Sequence, residues 1–117
     1  MSREYPEFVG NLKKDPDDIF MDLDYIKLDA IHMCLGLSGE VGEVVDVIKK
    51  HVIFNKKLDR DSVVKELGDV EFYLEGLRQA LEITREEVIQ GNINKLTKRY
   101  SEGTYSDNAA LSRADEK

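Results

Sequence analysis

Two segments of the chain share the pattern of one acidic residue, two other residues and a second acidic residue. The first pair is Glu40 and Glu43, and the second is Glu66 and Asp69. Residues three apart lie side by side on a helix, so each pair presents two carboxylates to one region of space. Carboxylate oxygens suit hard divalent cations better than they suit zinc or copper. Acidic pairs at this spacing are also common on solvated helix faces, so the spacing alone does not decide between a metal site and an ordinary surface.

The positions of these acids relative to the apolar residues favour a metal site. At about 100° per residue, Glu40 falls at the border of an apolar arc, and Glu43 lies one step further round. Glu66 and Asp69 occupy the same places relative to the apolar arc of their own helix. If the two helices pack through these arcs, the four carboxylates meet at one seam and repel each other unless cations neutralise them. The arcs are Leu37, Val41, Val44, Val47 and Ile48 on the first helix, and Val63, Leu67, Val70, Tyr73, Leu74, Leu77 and Leu81 on the second.

Three glycines, Gly39, Gly42 and Gly68, stand beside these acids. Each costs a helix about 1 kcal/mol relative to alanine. Two interpretations remain open: close approach of a ligand or backbone, or tight packing between the helices.

The elements that position the acids predict an all-α fold, a helical bundle of about four helices. The only prolines are Pro6 and Pro16, and strand-like alternation is hard to find. The first 20 residues predict an irregular start with a short helical piece. Longer helices are predicted over about 23–51, with possible breaks at its glycines, from a cap at Asp61 or Ser62 to about 83, and from Thr84 to about 100, the last opened by a capping box. We expect one domain over residues 1–103 and a polar, mobile tail over 104–117.

The overall charge and composition exclude several function classes. The chain has 17 Lys and Arg against 24 Asp and Glu, a net charge of -7, which disfavours nucleic acid polymers and anionic membranes as partners. A small phosphate-bearing ligand is still compatible if divalent cations intervene. No apolar run is long enough to span a membrane, and the N-terminus lacks a signal pattern. Cys34 is the only cysteine, so no internal disulfide forms; we expect it to be buried and the protein to be cytoplasmic.

The acidic pairs, their glycine-rich surroundings and the end of the last helix resemble the MazG-like, all-α nucleoside triphosphate pyrophosphohydrolases. The resemblance runs from about residue 24 to residue 103. The segments that carry it are 36–43 (GLSGEVGE), 48–51 (IKKH), 66–69 (ELGD) with Tyr73, and 92–100 (NINKLTKRY).

The resemblance implies hydrolysis of a (deoxy)nucleoside triphosphate to monophosphate and pyrophosphate, by water attack at the α-phosphate with Mg²⁺ or Mn²⁺ as cofactor. It implies that Glu40, Glu43, Glu66 and Asp69 hold the metal. It further implies that a homodimer, or a dimer of dimers, builds the active sites. Some relatives carry an additional acid where this chain has Gly39. The general base therefore stays open between a motif carboxylate, Glu40 or Glu43, and a water already acidified by the cation.

Five further residues are candidate substrate contacts, each with a competing interpretation. Lys50 lies two turns after Glu43 and could reach a phosphate, or it could favour the helix C-terminus as a cation. Tyr73 could support a sugar, or it could simply pack with its hydroxyl satisfied. The remaining three recur at helical spacing and suggest phosphate or base contacts, although an ordinary solvated face would look the same: Asn92, Lys95 and Arg99.

Two other function classes compete with the enzyme. One is a non-catalytic dimeric helical module that binds nucleotide or divalent metal. The other is a structural interaction domain with acidic exposed faces. Nucleotide binding without turnover would favour the first, and the absence of cation binding would favour the second.

Overall fold

The computed structural model describes residues 4–116, and all of their secondary structure is helical, which confirms the all-α class. None of these helices is both long and apolar enough to cross a membrane. The elements in chain order are α1 (Glu4–Leu12), α2 (Pro16–Met21), α3 (Tyr25–Val52), α4 (Arg60–Leu81), α5 (Arg85–Arg99), α6 (Asp107–Ser112) and a 3₁₀ turn, η1 (Ala114–Glu116).

Side-chain caps set the starts of the two helices that follow α3. The carboxylate of Asp59 accepts hydrogen bonds from the Ser62 backbone N–H at 3.1 Å and from the Ser62 hydroxyl at 2.9 Å. These bonds lower the pKa of Asp59. The cap is thus Asp59, and the prediction of Asp61 or Ser62 was wrong because Ser62 serves as the donor. The predicted capping box is confirmed: Glu87 N–H donates to the Thr84 hydroxyl at 3.1 Å, and Thr84 N–H donates to the Glu87 carboxylate at 3.3 Å.

Helices α3 and α4 pack along each other as an antiparallel hairpin. Near one end Gly76 of α4 lies against the Met33 thioether, and further along Gly36 of α3 lies under the ring of Tyr73. A Cβ atom at either glycine would overlap these side chains. At both positions the glycine leaves room for a side chain of the other helix. Helix α3 runs unbroken through all the glycines that the sequence suggested as breaks.

The predicted bundle is incomplete within one chain. Among the described helices only α3 and α4 pack along their lengths, while the main tertiary contacts of α5 are with α6 and η1. The apolar residues of α1, α2 and α5 consequently face solvent, among them Phe8 at 59%, Phe20 at 73% and Ile93 at 50% exposure. A four-helix core would need these faces to be covered by something beyond residues 4–116 of one chain.

The single chain is extended and has a large surface. Its radius of gyration is 20.1 Å, against about 13 Å for a compact domain of this length. Its accessible surface is 9976 Å², against about 6,500 Å² for a compact protein of this mass. No side chain in the described part is fully buried. The prediction that Cys34 is buried was wrong: its side chain is exposed on α3, since no other part of residues 4–116 covers it.

The segment predicted to be a polar tail contains α6 and η1, and an ion pair ties it to α5. Arg99 Nε lies 2.6 Å from one carboxylate oxygen of Asp115, and Arg99 Nη2 lies 3.0 Å from the other. The Asp115 side chain is only 2% exposed. Hydrogen bonding lowers the pKa of Asp115 and raises the pKa of Arg99. The division between residues 103 and 104 stays a prediction.

Candidate metal centre

Three acidic residues meet where α3 passes α4. Glu40 comes from α3, and Glu66 and Asp69 come from α4; each offers one carboxylate oxygen, and these oxygens all lie within 4.8 Å of one another. Glu40 and Glu66 are half-buried, whereas Asp69 is exposed. We call these three residues the acidic group. The antiparallel packing of α3 and α4 brings them together. Glu40 follows the Gly36 contact along α3, and Asp69 and Glu66 precede the Tyr73 contact along α4.

The fourth predicted ligand, Glu43, lies outside the acidic group. It is exposed on α3 one turn after Glu40. Its charge nevertheless contributes to raising the pKa of Glu40. The structure thus brings three of the four predicted acids together and places Glu43 beside them.

The electrostatics of the acidic group favour a bound cation. The pKa of Glu40 is raised above its ordinary value, first by burial and then by repulsion from Asp69, Glu66 and Glu43. Repulsion of this kind disappears when a cation neutralises the carboxylates. An all-oxygen set of donors within 4.8 Å of one another, two of them half-buried, fits a hard divalent cation.

The glycines beside the acids leave open space. A Cβ atom added at Gly39, Gly42 or Gly68 would meet no neighbouring atom within 4 Å. Tight packing between α3 and α4, one of the two interpretations of these glycines, is therefore not observed in the described residues. Packing instead requires Gly36 and Gly76. The open space lies next to Glu40 and Asp69.

Two predicted substrate contacts on the hairpin have partners within the chain. The Lys50 ammonium lies 3.0 Å from the carboxylate of Asp46, with both side chains about half exposed. Tyr73 packs over Gly36, and its ring meets that of Phe72 edge-on with centroids 5.1 Å apart. Lys50 remains accessible to a ligand, while Tyr73 packs at the interface of the two helices.

The predicted contacts on α5 are not brought to the acidic group by the single chain. Asn92 lines a cavity between α5 and the residues that follow it. Lys95 is exposed, and the guanidinium of Arg99 binds Asp115. Asp115 was not predicted as a partner of Arg99, because its segment was predicted to be a mobile tail. One signal could have found it: Ser106 precedes a short apolar run and caps α6 by accepting the Ala109 N–H at 3.0 Å.

Comparison with known proteins identifies the family. Residues 30–104 match the model described as the MazG nucleotide pyrophosphohydrolase domain. The match covers most of α3, all of α4 and all of α5, including Glu40, Glu43, Glu66 and Asp69. This chain belongs to the MazG nucleotide pyrophosphohydrolase domain family. The family resemblance seen in the sequence is thereby confirmed.

A curated phage protein is also similar to part of this chain. The Gene 37 protein of Mycobacterium phage L5 is 35% identical over 77 residues, a match that covers 62% of this chain and 67% of the phage protein. No solved structure matches the chain. Helices α1, α2 and α6 and the turn η1 lie outside the range of the family match.

Proposed function

We propose that this MazG domain is a metal-dependent pyrophosphohydrolase that cleaves a (deoxy)nucleoside triphosphate to monophosphate and pyrophosphate. The observation that supports this most directly is the convergence of Glu40, Glu66 and Asp69 from two helices, in a chain that belongs to this family. Phosphoryl transfer depends mainly on positioning and charge neutralisation, and an oxygen-rich cation site serves both purposes.

In this proposal the acidic group would hold Mg²⁺ or Mn²⁺, and Glu43 lies beside it on the next turn of α3 without binding the cation. When bound, the cation supplies charge neutralisation at the phosphates and makes a water easier to deprotonate. It also explains how a chain with a net charge of -7 holds an anionic substrate.

We assign proton transfer to Glu43 rather than to Glu40. Glu40 is half-buried beside Glu66 and Asp69, so we assign its carboxylate to cation binding. Glu43 is exposed and lies outside the closely spaced group, which leaves its carboxylate able to accept a proton from the attacking water. Position 39, where some relatives carry an acid, has no side chain to do so.

Lys50 is the substrate contact proposed on the hairpin. Its ammonium is mobile enough to leave Asp46, since both groups are exposed and a surface pair of this kind is weak. It also lines a cavity of about 250 Å³ together with Lys56 and Lys57, and Asp59 is the one carboxylate among the lining residues. A cavity with several cationic side chains suits the outer phosphates of a triphosphate.

The substrate contacts proposed for Asn92 and Lys95 on α5 depend on assembly. We propose a homodimer, or a dimer of dimers, in which α5 of one chain approaches the hairpin of another, so that Asn92 and Lys95 reach substrate. The surface of one chain exceeds that of a compact protein by about 3,500 Å², several times the roughly 800 Å² that each partner buries in a standard interface. In this assembly Arg99 keeps its partner Asp115, and Tyr73 positions α3 against α4.

A panel of ribo- and deoxyribonucleoside triphosphates, incubated with Mg²⁺ and with the products resolved by chromatography, tests the proposal. We expect equal amounts of monophosphate and pyrophosphate, and no turnover when a chelator removes the cation. Release of orthophosphate as the first product, or no hydrolysis of any triphosphate, would contradict it. Tight nucleotide binding without turnover would favour the non-catalytic module.

A further inference from the structure

A second cavity, of about 390 Å³, lies between the C-terminal half of α5 and the residues that follow it. Its volume falls within the range of sites for small organic ligands. None of the residues that line it is charged. Apolar side chains, two tyrosine rings and amide or hydroxyl groups share its surface, mainly Asn92, Ile93, Leu96, Thr97, Tyr100 and Tyr105.

Tyr105 forms a wall of this cavity and is held in place although 71% of it is exposed. Its hydroxyl donates a hydrogen bond to the Asp107 carboxylate at 2.6 Å. Its ring lies 5.7 Å from the ring of Tyr100, at an interplanar angle of 40°. An aromatic ring fixed at its hydroxyl end and left open on a face is a platform on which another planar ring can stack.

The segment that carries Tyr105 is also attached to α5 further along the chain, at η1. The Arg99–Asp115 ion pair connects η1 to the end of α5, and Asp115 is nearly buried in doing so. Ser106 caps α6 directly after Tyr105. The cavity wall is therefore tied down both just after Tyr105 and at the far end of the segment. Tyr105, Asp107 and Asp115 all lie beyond the range of the family match.

We propose that this cavity binds the base and sugar of a nucleotide, with the base stacked on Tyr105. The apolar floor and the tyrosine rings suit a heteroaromatic base, and the Asn92 amide and Thr97 hydroxyl offer hydrogen bonds to its edge or to the sugar. The absence of charged lining residues points to the uncharged end of a nucleotide rather than to its phosphates. This inference rests on the proposed function only for the source of the ligand, which is either the substrate itself or a second nucleotide.

Binding of unphosphorylated nucleosides to the metal-free, full-length protein tests the proposal. Saturation-transfer NMR with adenosine, guanosine, cytidine and thymidine should show transfer to the base protons of at least one of them. Tyr105→Ala should weaken that binding about tenfold or more, as expected for loss of one stacking contact. Tyr105→Phe keeps the ring and should stay within about threefold of the original affinity, since only the bond to Asp107 is lost.

Leu111→Ala is the matched control, because Leu111 belongs to the same segment, is 82% exposed and does not line the cavity. Its nucleoside affinity should be unchanged, and circular dichroism should show the same helix content in all variants. No nucleoside binding by the unaltered protein, or equal binding by Tyr105→Ala, would overturn the proposal.

Kinetics then identify the source of the ligand. Competitive inhibition by the bound nucleoside would identify the cavity as the base subsite for the substrate, and non-competitive inhibition or activation would identify a second nucleotide; both support the proposal. The binding test needs neither metal nor turnover. If the protein failed to hydrolyse triphosphates but bound nucleosides through Tyr105, the proposed function would fail and this inference would stand.

Discussion

Glu40, Glu66 and Asp69 approach one another although like charges repel. The pKa of Glu40 is raised first by burial and then by this repulsion, so the arrangement costs free energy. Ordinary surface acids avoid this cost by spreading apart. Residues that retain such a repulsion at a half-buried seam are typical of a functional site.

Removing one charge from the acidic group should impair cation binding and turnover together. We expect Glu66→Gln to raise the Mg²⁺ concentration needed for half-maximal activity and to lower turnover by about 100-fold or more, since loss of a metal ligand removes several kcal/mol of transition-state stabilisation. Glu43→Gln should lower kcat to a similar extent while leaving the Mg²⁺ requirement nearly unchanged, because Glu43 acts on the proton. Steady-state kinetics at a series of Mg²⁺ concentrations measures both.

Glu71→Gln provides the control for these variants. Glu71 lies on the same helix as Glu66 and Asp69, is exposed and is outside the acidic group. The change in net charge is the same, so its activity should match that of the unaltered protein. Glu66→Gln with full activity at low Mg²⁺ would refute the metal assignment, and a shifted Mg²⁺ requirement in Glu43→Gln would refute its role as the base.

Spacing and apolar periodicity sufficed to predict that acids from two helices meet. They could not separate Glu43 from Glu40, because both lie on nearly the same stripe of α3 and the offset between the packed helices decides which one meets Glu66 and Asp69. Asp115 could not be found as a partner for Arg99 either. Sixteen positions separate them, and no helical or strand period connects residues at that distance.

At the scale of elements, the hairpin of α3 and α4 depends on two kinds of glycine. Gly36 sits under Tyr73, where a side chain would collide, whereas a side chain at Gly39 would meet open space. The sequence places five glycines in these two helices, and each has the same intrinsic cost to a helix. Only the packing of α3 on α4 distinguishes them.

We expect opposite effects of the same substitution at these two positions. Gly36→Ala should lower the free energy of unfolding by about 1–3 kcal/mol, because the new methyl group forces Tyr73 away from α3. Gly39→Ala should raise the free energy of unfolding by up to about 1 kcal/mol through helix propensity alone. Urea denaturation followed by circular dichroism measures both. Equal effects of the two substitutions would show that α3 and α4 do not pack through Gly36.

The contact between α5 and η1 should open in acid. The pKa of Asp115 is lower in the folded protein than the ordinary value of 3.8, chiefly because Arg99 donates hydrogen bonds to it. The stabilisation is therefore fully present above the unfolded pKa and is lost as the pH falls through the folded pKa. NMR signals of residues 105–116 should shift toward those of an unfolded segment below about pH 4. Asp115→Asn should show the opened segment already at neutral pH; unchanged signals in that variant would contradict the contact.

Helices α3 and α5 were predictable because each has strong local signals, a long apolar period in α3 and a capping box in α5. Helix α6 and η1 were not predicted, because a segment rich in Ser, Asp and Asn is usually mobile in isolation. Their order comes from a tertiary ion pair. The local sequence therefore predicts helices that have apolar periodicity or a capping box. It does not predict helices whose order depends on a contact with a distant residue.

At the scale of the whole molecule, residues 4–116 of one chain form no buried hydrophobic core. Large apolar side chains on α3 and α4 remain half or more exposed, for example Leu35 at 67% and Phe72 at 65%. Burial of apolar surface is the main favourable contribution to folding, so a chain in this shape gains little of it. The sequence predicts amphipathic helices but not whether the same chain or another molecule covers their apolar faces, because the apolar period is the same for intrachain and interchain packing.

Folding should therefore be coupled to assembly. We expect light scattering after size exclusion to give at least twice the chain mass of 13.4 kDa. The midpoint of thermal unfolding should rise with protein concentration, as mass action requires when only the assembled state is folded. A stable particle of one chain with a melting temperature independent of concentration would contradict the proposed assembly.

The site of water attack tests the central claim most directly. Hydrolysis of a nucleoside triphosphate in ¹⁸O-labelled water with Mg²⁺, followed by ³¹P NMR of the products, shows which phosphorus gains the new oxygen. We predict that the label appears in the monophosphate and that the pyrophosphate is unlabelled. Label in pyrophosphate, or labelled orthophosphate beside a diphosphate, would contradict attack at the α-phosphorus and with it the proposed activity.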